Sequence, residues 1–200
     1  MIQSPGVLVG LVLVVGSGSL FAQTSTRAVP REFEHVRLLG RALSEFKDDR
    51  LQIVAAYYHS QSNHNGPWLL IELGALGFRP TRIDRNQIEI VTPSGRVVPL
   101  STQARWAAQP ERNALLLQQA SSSRHQLSSY FRSINGLAHL RFFIQPSGAG
   151  TVLQSIDLAP NELAVGDLLF ESPTRLWDKG THALVIRYDG NEVVLPIDLR

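Results

Sequence analysis

Residues 182–199 read HALVIRYDGNEVVLPIDL and carry the strongest local signal for structure in the chain. Apolar and polar residues alternate on both sides of Asp189-Gly190-Asn191, as they do in half-buried strands. Asp-Gly between two such runs is typical of a tight β-hairpin turn, in which the backbone adopts positive φ. Because Pro196 lacks a backbone N–H, its strand is predicted to lie at a sheet edge. These residues therefore predict an antiparallel hairpin.

Similar strand signals recur upstream at short intervals. A second hairpin is predicted for residues 87–100, where Pro93-Ser94-Gly95 separates two apolar runs. About seven to nine short strands without regular βαβ alternation predict antiparallel sheets. The remaining runs of β-forming residues, separated by turn-type sequence, occupy residues 51–60, 67–75, 138–145, 152–158 and 167–170.

Two segments favour helix instead. Residues 110–132 contain no glycine and begin with Pro110, which suits the first turn of a helix. The serines at 121–123 lower helix propensity, so one broken helix or two short helices are predicted within an insertion at residues 103–133. Residues 31–49 place apolar side chains three or four positions apart and favour an amphipathic helix, with a first strand at residues 34–39 as the alternative.

The general pattern is one of at least seven short strands, with Trp68 in an early core strand and a terminal hairpin. In this pattern the sequence resembles immunoglobulin-like domains of bacterial exported proteins. The resemblance implies a mainly β fold, an antiparallel Ig-like β-sandwich. The helical insertion and the N-terminal helix are additions that the residue pattern predicts. The resemblance transfers no functional residues. Residues 31–200 are predicted to form this single domain, and residues 23–30 a flexible tail.

The N-terminal residues predict export. Residues 7–15 are an unbroken apolar run, shorter than the roughly 20 residues that a membrane-spanning helix needs. Small residues and then Leu20-Phe21-Ala22 follow, which is typical of a signal peptide at residues 1–22 that is cleaved after Ala22. An uncleaved segment that acts as a weak anchor is the alternative. We expect a periplasmic or extracellular protein with no stable membrane span after cleavage.

Composition narrows the classes of function. The chain has no cysteine, which predicts a disulfide-free core and excludes thiol catalysis and Cys-ligated zinc. The net charge is +2, and the arginines are spread along the chain with acidic residues between them. Because a nucleic-acid-binding protein concentrates its basic residues on one face, no nucleic-acid partner is predicted.

No complete catalytic signature occurs in the sequence. The nucleophile-elbow, zinc-protease, phosphate-loop and calcium-loop motifs are all missing. Ser44-Glu45-Phe46-Lys47 matches the Ser-x-x-Lys motif of penicillin-binding enzymes. The partner motifs of that family are absent, so a solvated helix face is the preferred interpretation. No catalytic residue and no cofactor are assigned.

Histidines and carboxylates are the candidates for chemistry. His59 and His64 flank a predicted turn and would need a further ligand, such as His182, to hold zinc or copper. The simpler interpretation places His59 at a strand end and His64 at a loop tip. The candidates for an acid–base pair are Glu72, Asp157 and Asp167, although strand alternation predicts that Glu72 faces solvent.

Aromatic residues could form a platform for a carbohydrate or a peptide, although packing in the core is the simpler interpretation. Trp106 and Trp177 lie outside the clearest strands and are therefore the predicted exposed binding contacts. The other aromatic candidates are Tyr57, Tyr58 and Trp68.

Together these features predict an exported, non-catalytic binding or structural module of the cell envelope. The expected partner is an envelope protein or a cell-wall component, contacted through a sheet edge or the helical insertion. A metal-dependent or carboxylate-based hydrolase of unfamiliar design is the alternative.

Overall fold

A computed structural model of the protein describes residues 26–145 and 148–200. The predicted signal peptide at residues 1–22 lies outside the described residues. Within them the chain is mainly β, with antiparallel sheets, as predicted. The strands are β1 (Val36–Gly40), β2 (Leu43–Lys47), β3 (Leu51–Ala56), β4 (Trp68–Gly77), β5 (Thr81–Asp84), β6 (Ile88–Val91), β7 (Val97–Pro99), β8 (Gly136–His139), β9 (Ser155–Leu158), β10 (Glu162–Glu171), β11 (Gly180–Tyr188) and β12 (Asn191–Leu199). The helices are α1 (Tyr58–Ser62), α2 (Gln103–Ala107) and α3 (Pro110–Ser121).

The described strands form two main sheets and one small ribbon. The larger sheet has the order β1-β2-β3-β4-β10-β8, in which β8 runs parallel to β10 and the other neighbours are antiparallel. The second sheet has the order β12-β11-β6-β7, and β5 pairs with β9. The two main sheets share one apolar core, to which β4 contributes Leu69 and Ile71 and β11 contributes Leu184 and Ile186.

Both predicted hairpins are present. Strands β11 and β12 pair from Gly180 to Tyr188, and the turn residues Asp189 and Gly190 have φ of 44° and 77°. Positive φ at both central residues is what a type I′ turn requires. Strand β12, which contains Pro196, lies at the sheet edge as predicted.

The N-terminal helix predicted for residues 31–49 is wrong, and the alternative of a first strand is nearer to the structure. The segment forms the hairpin of β1 and β2, which turns just after Gly40. Apolar residues spaced three or four apart also fit two short strands, and pairing of β2 with β3 decides in favour of the sheet. Ser44 and Lys47 consequently lie on a strand, not on a helix face, and Ser44 is buried.

The helices between β7 and β8 cover the outer face of the larger sheet. Thr102 caps α2 by accepting a hydrogen bond from Arg105 N, and Pro110 opens α3. A short 3-10 turn, Leu127–Tyr130, follows. All residues of β4 are therefore buried, because the core covers one face of the strand and α2, α3 and the 3-10 turn cover the other.

Candidate functional site

Two grooves flank α3 on the outer face of the larger sheet. The first, here called the His59 groove, lies between α3 and the segment that joins α1 to β4, and has a volume of about 420 Å³. The second, called the Phe143 groove, lies on the side of β10 and has a volume of about 370 Å³. Both volumes fall in the range of small-ligand sites, about 300–1,000 Å³.

The first wall of the His59 groove is built by α1 and the loop after it. Asn63 Nδ2 and Asn63 N both donate to the His59 carbonyl, at 2.9 and 3.0 Å, which closes the end of α1. Ser60 Oγ donates to Leu70 O at 2.9 Å and accepts from Leu70 N at 2.8 Å, so α1 is fixed to β4. Burial lowers the pKa of His59, which keeps its imidazole neutral at neutral pH.

The floor of the His59 groove includes Trp68, which is 3% exposed. Its ring packs edge-on against Trp106, with ring centroids 5.2 Å apart. Its Nε1 is buried and has no acceptor among the described residues. A buried N–H without a partner costs free energy, and this donor lies in a residue that lines the groove.

The second wall is one face of α3. Arg112, Leu115 and Gln119 line the groove at spacings of three and four, which place them on the same side of the helix. Asn113 and Ala120 are buried on the adjacent face of the helix, which packs against the sheet, and Asn113 Nδ2 donates to Trp106 O. Leu115 is 52% exposed. Arg112 donates to Gln109 Oε1 at 3.0 Å and has no carboxylate partner within the described residues.

The Phe143 groove is lined by Trp106, Phe143, Arg141 and Asp167, among others. Trp106 Nε1 donates to Ile144 O at 3.1 Å, which joins α2 to the loop after β8. That loop approaches β10 so closely that a Cβ at position 166 would overlap the carbonyl oxygen of Leu140. Only glycine therefore fits at position 166 while the loop after β8 packs against β10 in this way.

A buried carboxylate lies under the residues that follow α3. Glu72 is 6% exposed, and its Oε2 accepts a hydrogen bond from His125 N at 3.2 Å. Arg124 donates twice to Asp167, at 2.9 and 2.6 Å, and its Nη1 lies 3.9 Å from Glu72 Oε2. Burial raises the pKa of Glu72 to about 7, with a small contribution from Asp167, against the opposing effects of His125 N–H and Arg124.

An aromatic stack adjoins this carboxylate. His125 stacks between Tyr58 and Tyr130, with ring centroids 5.1 and 5.3 Å away. His125 Nε2 and Tyr130 Oη are hydrogen-bonded at 2.6 Å. The backbone N–H of His125 donates to Glu72, and the His125 ring packs against two tyrosines. These contacts fix the residues after α3 to the sheet.

The prediction that Glu72 faces solvent is wrong. Alternation places its side chain on the outer face of β4, but α3 and the residues after it cover that face. Asp167 is its direct partner in the ladder between β4 and β10. Asp157 lies elsewhere, on β9, where it pairs with Arg82. Two of the three candidate carboxylates are therefore neighbours, with one guanidinium beside both.

The three candidate histidines do not form one cluster, although His64 and His182 are near each other. His59 lines the groove beside α3, whereas His64 Nδ1 lies 3.4 Å from Gln61 O. His182 is buried on β11 and packs against Trp177. Burial lowers the pKa of His182, and the nearby His64 lowers it further. Within residues 26–145 and 148–200, no three His, Asp or Glu side chains are placed to hold a metal ion. The predicted metal candidates His59 and His64 thus lie in different surroundings.

The prediction that Trp106 and Trp177 are exposed is wrong, because both side chains are buried. They are 1% and 5% exposed, because α2 packs Trp106 onto Trp68 and the loop after β10 packs Trp177 into the main core. Trp106 nevertheless lines the Phe143 groove. Sequence reasoning missed Arg112, Leu115 and Gln119, although their helical spacing was a visible signal for a shared face.

Comparisons with protein-family models, with curated proteins and with solved structures gave no significant match. Among the residues that the structure describes, no helix has the length and apolar character needed to cross a membrane. A function for this chain has therefore to be inferred from its own sequence and geometry.

Proposed function

We propose that the protein is an exported, non-catalytic binding module of the cell envelope, whose partner is an envelope protein or a cell-wall component. The observation that carries this proposal is the His59 groove. Its walls combine an exposed leucine with amide, imidazole and guanidinium groups, the mixture that orients a bound ligand. No carboxylate and no hydroxyl nucleophile occur among the described residues that line it, which favours binding over catalysis.

We also infer an Ig-like order for the sandwich. Ig domains place strands A-B-E-D in one sheet and G-F-C in the other. Here the corresponding orders are β3-β4-β10-β8 in one sheet and β12-β11-β6-β7 in the other. Along the chain, these strands remain in one sheet or cross to the other in the same succession as in Ig domains, which supports the inference. The parallel pairing of β8 and the additional hairpin of β1 and β2 are departures from that pattern. Fold alone does not give a function, so the groove remains the argument for binding.

Photo-cross-linking in cells tests the proposal. A photoreactive phenylalanine analogue replaces Leu115 in the full chain, and Leu38, an exposed leucine on edge strand β1, takes the same replacement as a matched control. A discrete adduct from position 115 that is absent from position 38 is the expected result. Equal adducts from both positions, or none from position 115, would refute binding at this groove.

Export is tested separately by sequencing the N-terminus of the purified protein. A chain that begins at Gln23 is the expected result, because residues 7–22 have the pattern of a cleaved signal peptide. An intact N-terminus in a membrane fraction would favour the anchor alternative instead.

Acid–base chemistry at Glu72 is the second candidate function. It is favoured by the pKa of Glu72, about 7, because an acid–base group works best near the ambient pH. Asp167 lies opposite, but Arg124 engages both its oxygens. The test compares wild type with Glu72→Gln on chromogenic glycosides, esters and peptides. Turnover that Glu72→Gln abolishes would replace the binding proposal with a hydrolase.

A further inference from the structure

We propose that the His59 groove binds the carboxyl-terminal end of an extended peptide with an aliphatic last residue. This inference rests on the proposed binding function and names the class of its ligand. Four features of the groove carry it: its charge, its amide groups, its aliphatic wall and its fixed shape.

The positive charge of the groove favours a ligand that carries a carboxylate. Arg112 is the charged side chain among the described lining residues, since the pKa of His59 is lowered by burial. The Arg112 guanidinium is bonded to the neutral Gln109 amide and lacks a carboxylate partner among the residues described. A planar guanidinium matches the two oxygens of a carboxylate. A free peptide terminus supplies that group without a further acidic side chain.

The amide groups of the groove match a peptide backbone. Asn65 and Gln119 lie on opposite walls, and each offers both donors and an acceptor. Asn63 uses its Nδ2 on the His59 carbonyl, so its Oδ1 is the atom left to accept from a ligand N–H. A peptide group carries one donor and one acceptor and so can pair with both kinds of partner.

The apolar part of the groove favours a peptide over a sugar. Sugar rings pack on exposed aromatic faces, but the Trp68 ring is almost completely covered by α2 and α3. The exposed apolar surface comes from Leu115, with Leu116 beside it. An aliphatic side chain gains more from contact with these leucines than sugar hydroxyl groups do.

The loop wall of the groove is already fixed without a ligand. Pro67 O accepts from Ser172 N at 2.6 Å and from Trp177 Nε1 at 3.3 Å. These bonds hold the residues before β4 against the loop after β10. Binding therefore requires little ordering of this wall, which favours affinity even for a short ligand.

Two-dimensional ¹⁵N NMR of the protein tests the inference. The probe is an equimolar mixture of N-acetylated tetrapeptides that end in leucine, isoleucine or valine with a free carboxylate, and the matched mixture ends in carboxamides. The free-acid mixture is expected to shift the Trp68 indole N–H and the side-chain amides of Asn65 and Gln119. Because an exposed ion pair contributes about 0.2–1 kcal/mol, the carboxamides should bind about 1.5- to 5-fold more weakly.

Variants identify the group that recognises the carboxylate. Arg112→Gln should abolish the difference between acids and carboxamides, while Arg31→Gln, a charge removal at another exposed position, should preserve it. The spectra of both variants report directly whether they fold. Equal binding of both mixtures by wild type, or a preference that survives Arg112→Gln, would overturn the inference.

Two further outcomes separate this inference from the proposed function. If chitotetraose shifts the groove resonances and the peptides do not, the peptide assignment is overturned while the binding module stands. If cross-links form at position 115 but no peptide shifts the groove, the inference fails in the same way. Absence of both cross-links and shifts would overturn the inference and the proposed function together.

Discussion

Replacing Glu72 with glutamine is expected to stabilise the protein at alkaline pH and to leave its stability almost unchanged at acidic pH. The pKa of Glu72 rises from 4.5 to about 7 on folding, mainly through burial, so between these pH values the folded state holds a proton that the unfolded state has lost. The contribution of the carboxyl to stability is complete below pH 4.5 and is lost as pH rises through about 7.

The structure gives the size of the effect. At about 1.4 kcal/mol per pH unit, the interval from 4.5 to about 7 corresponds to a loss of about 3 kcal/mol in the unfolding free energy of wild type. Glutamine is neutral at every pH and keeps an oxygen that can accept from His125 N–H. Glu72→Gln should therefore match wild type near pH 4 and exceed it by up to about 3 kcal/mol near pH 8.

Urea unfolding at several pH values between 4 and 8, followed by tryptophan fluorescence, measures this difference. Burial lowers the pKa of His59 and His182, which makes stability rise with pH, but this effect is common to both proteins and cancels in the comparison. Glu111→Gln, which neutralises an exposed carboxylate on α3, is the matched control and should follow wild type. A Glu72→Gln protein that is less stable than wild type at pH 8 would refute the reasoning, because it would mean that Arg124 stabilises the charged carboxylate by more than burial costs.

Three further predictions concern packing and backbone conformation. Gly166→Ala should destabilise the protein by about 1–3 kcal/mol in urea unfolding, since its Cβ meets the Leu140 carbonyl, whereas Gly136→Ala, whose nearest neighbour is Glu162 Cγ at 3.7 Å, should show no such loss. Gly190→Ala should cost about 1–2 kcal/mol from backbone strain alone, because φ is 77° and no atom lies within 4 Å of the new Cβ; an unchanged unfolding midpoint would contradict this. Trp106→Ala should cost about 3–5 kcal/mol, whereas Leu115→Gln should change stability by no more than about 0.5 kcal/mol; comparable losses would contradict the placement of these two residues.

Local sequence determined the hairpins well. The turn at Asp189-Gly190 and the turn that includes Gly95, with φ of 84°, depend on conformations that these residues adopt themselves. The N-terminal hairpin could not be separated from a helix on the same basis. Its apolar spacing suits both structures, and the pairing of β2 with β3 that decides between them is a tertiary contact.

The candidate site was less accessible to sequence reasoning. Alternation gave the correct side of β4 for Glu72 but not what lies against that side, because its hydrogen-bond partner His125 is 53 positions away. The His59 groove could not be predicted for the same reason, because its walls come from α1 and α3, which are far apart in the sequence. The helical spacing of Arg112, Leu115 and Gln119 was visible, but which side of α3 the sheet would cover was not.

The central claim is that the face of α3 carrying Leu115 binds the partner of this protein. Its most direct test is the affinity of the partner cross-linked at position 115, measured by titration calorimetry, for Leu115→Glu and for Leu38→Glu. Placing a charge in the apolar wall should weaken binding at least about tenfold, or about 1.4 kcal/mol, while the change on β1 leaves affinity as in wild type. Equal affinity of both variants and wild type would contradict the claim.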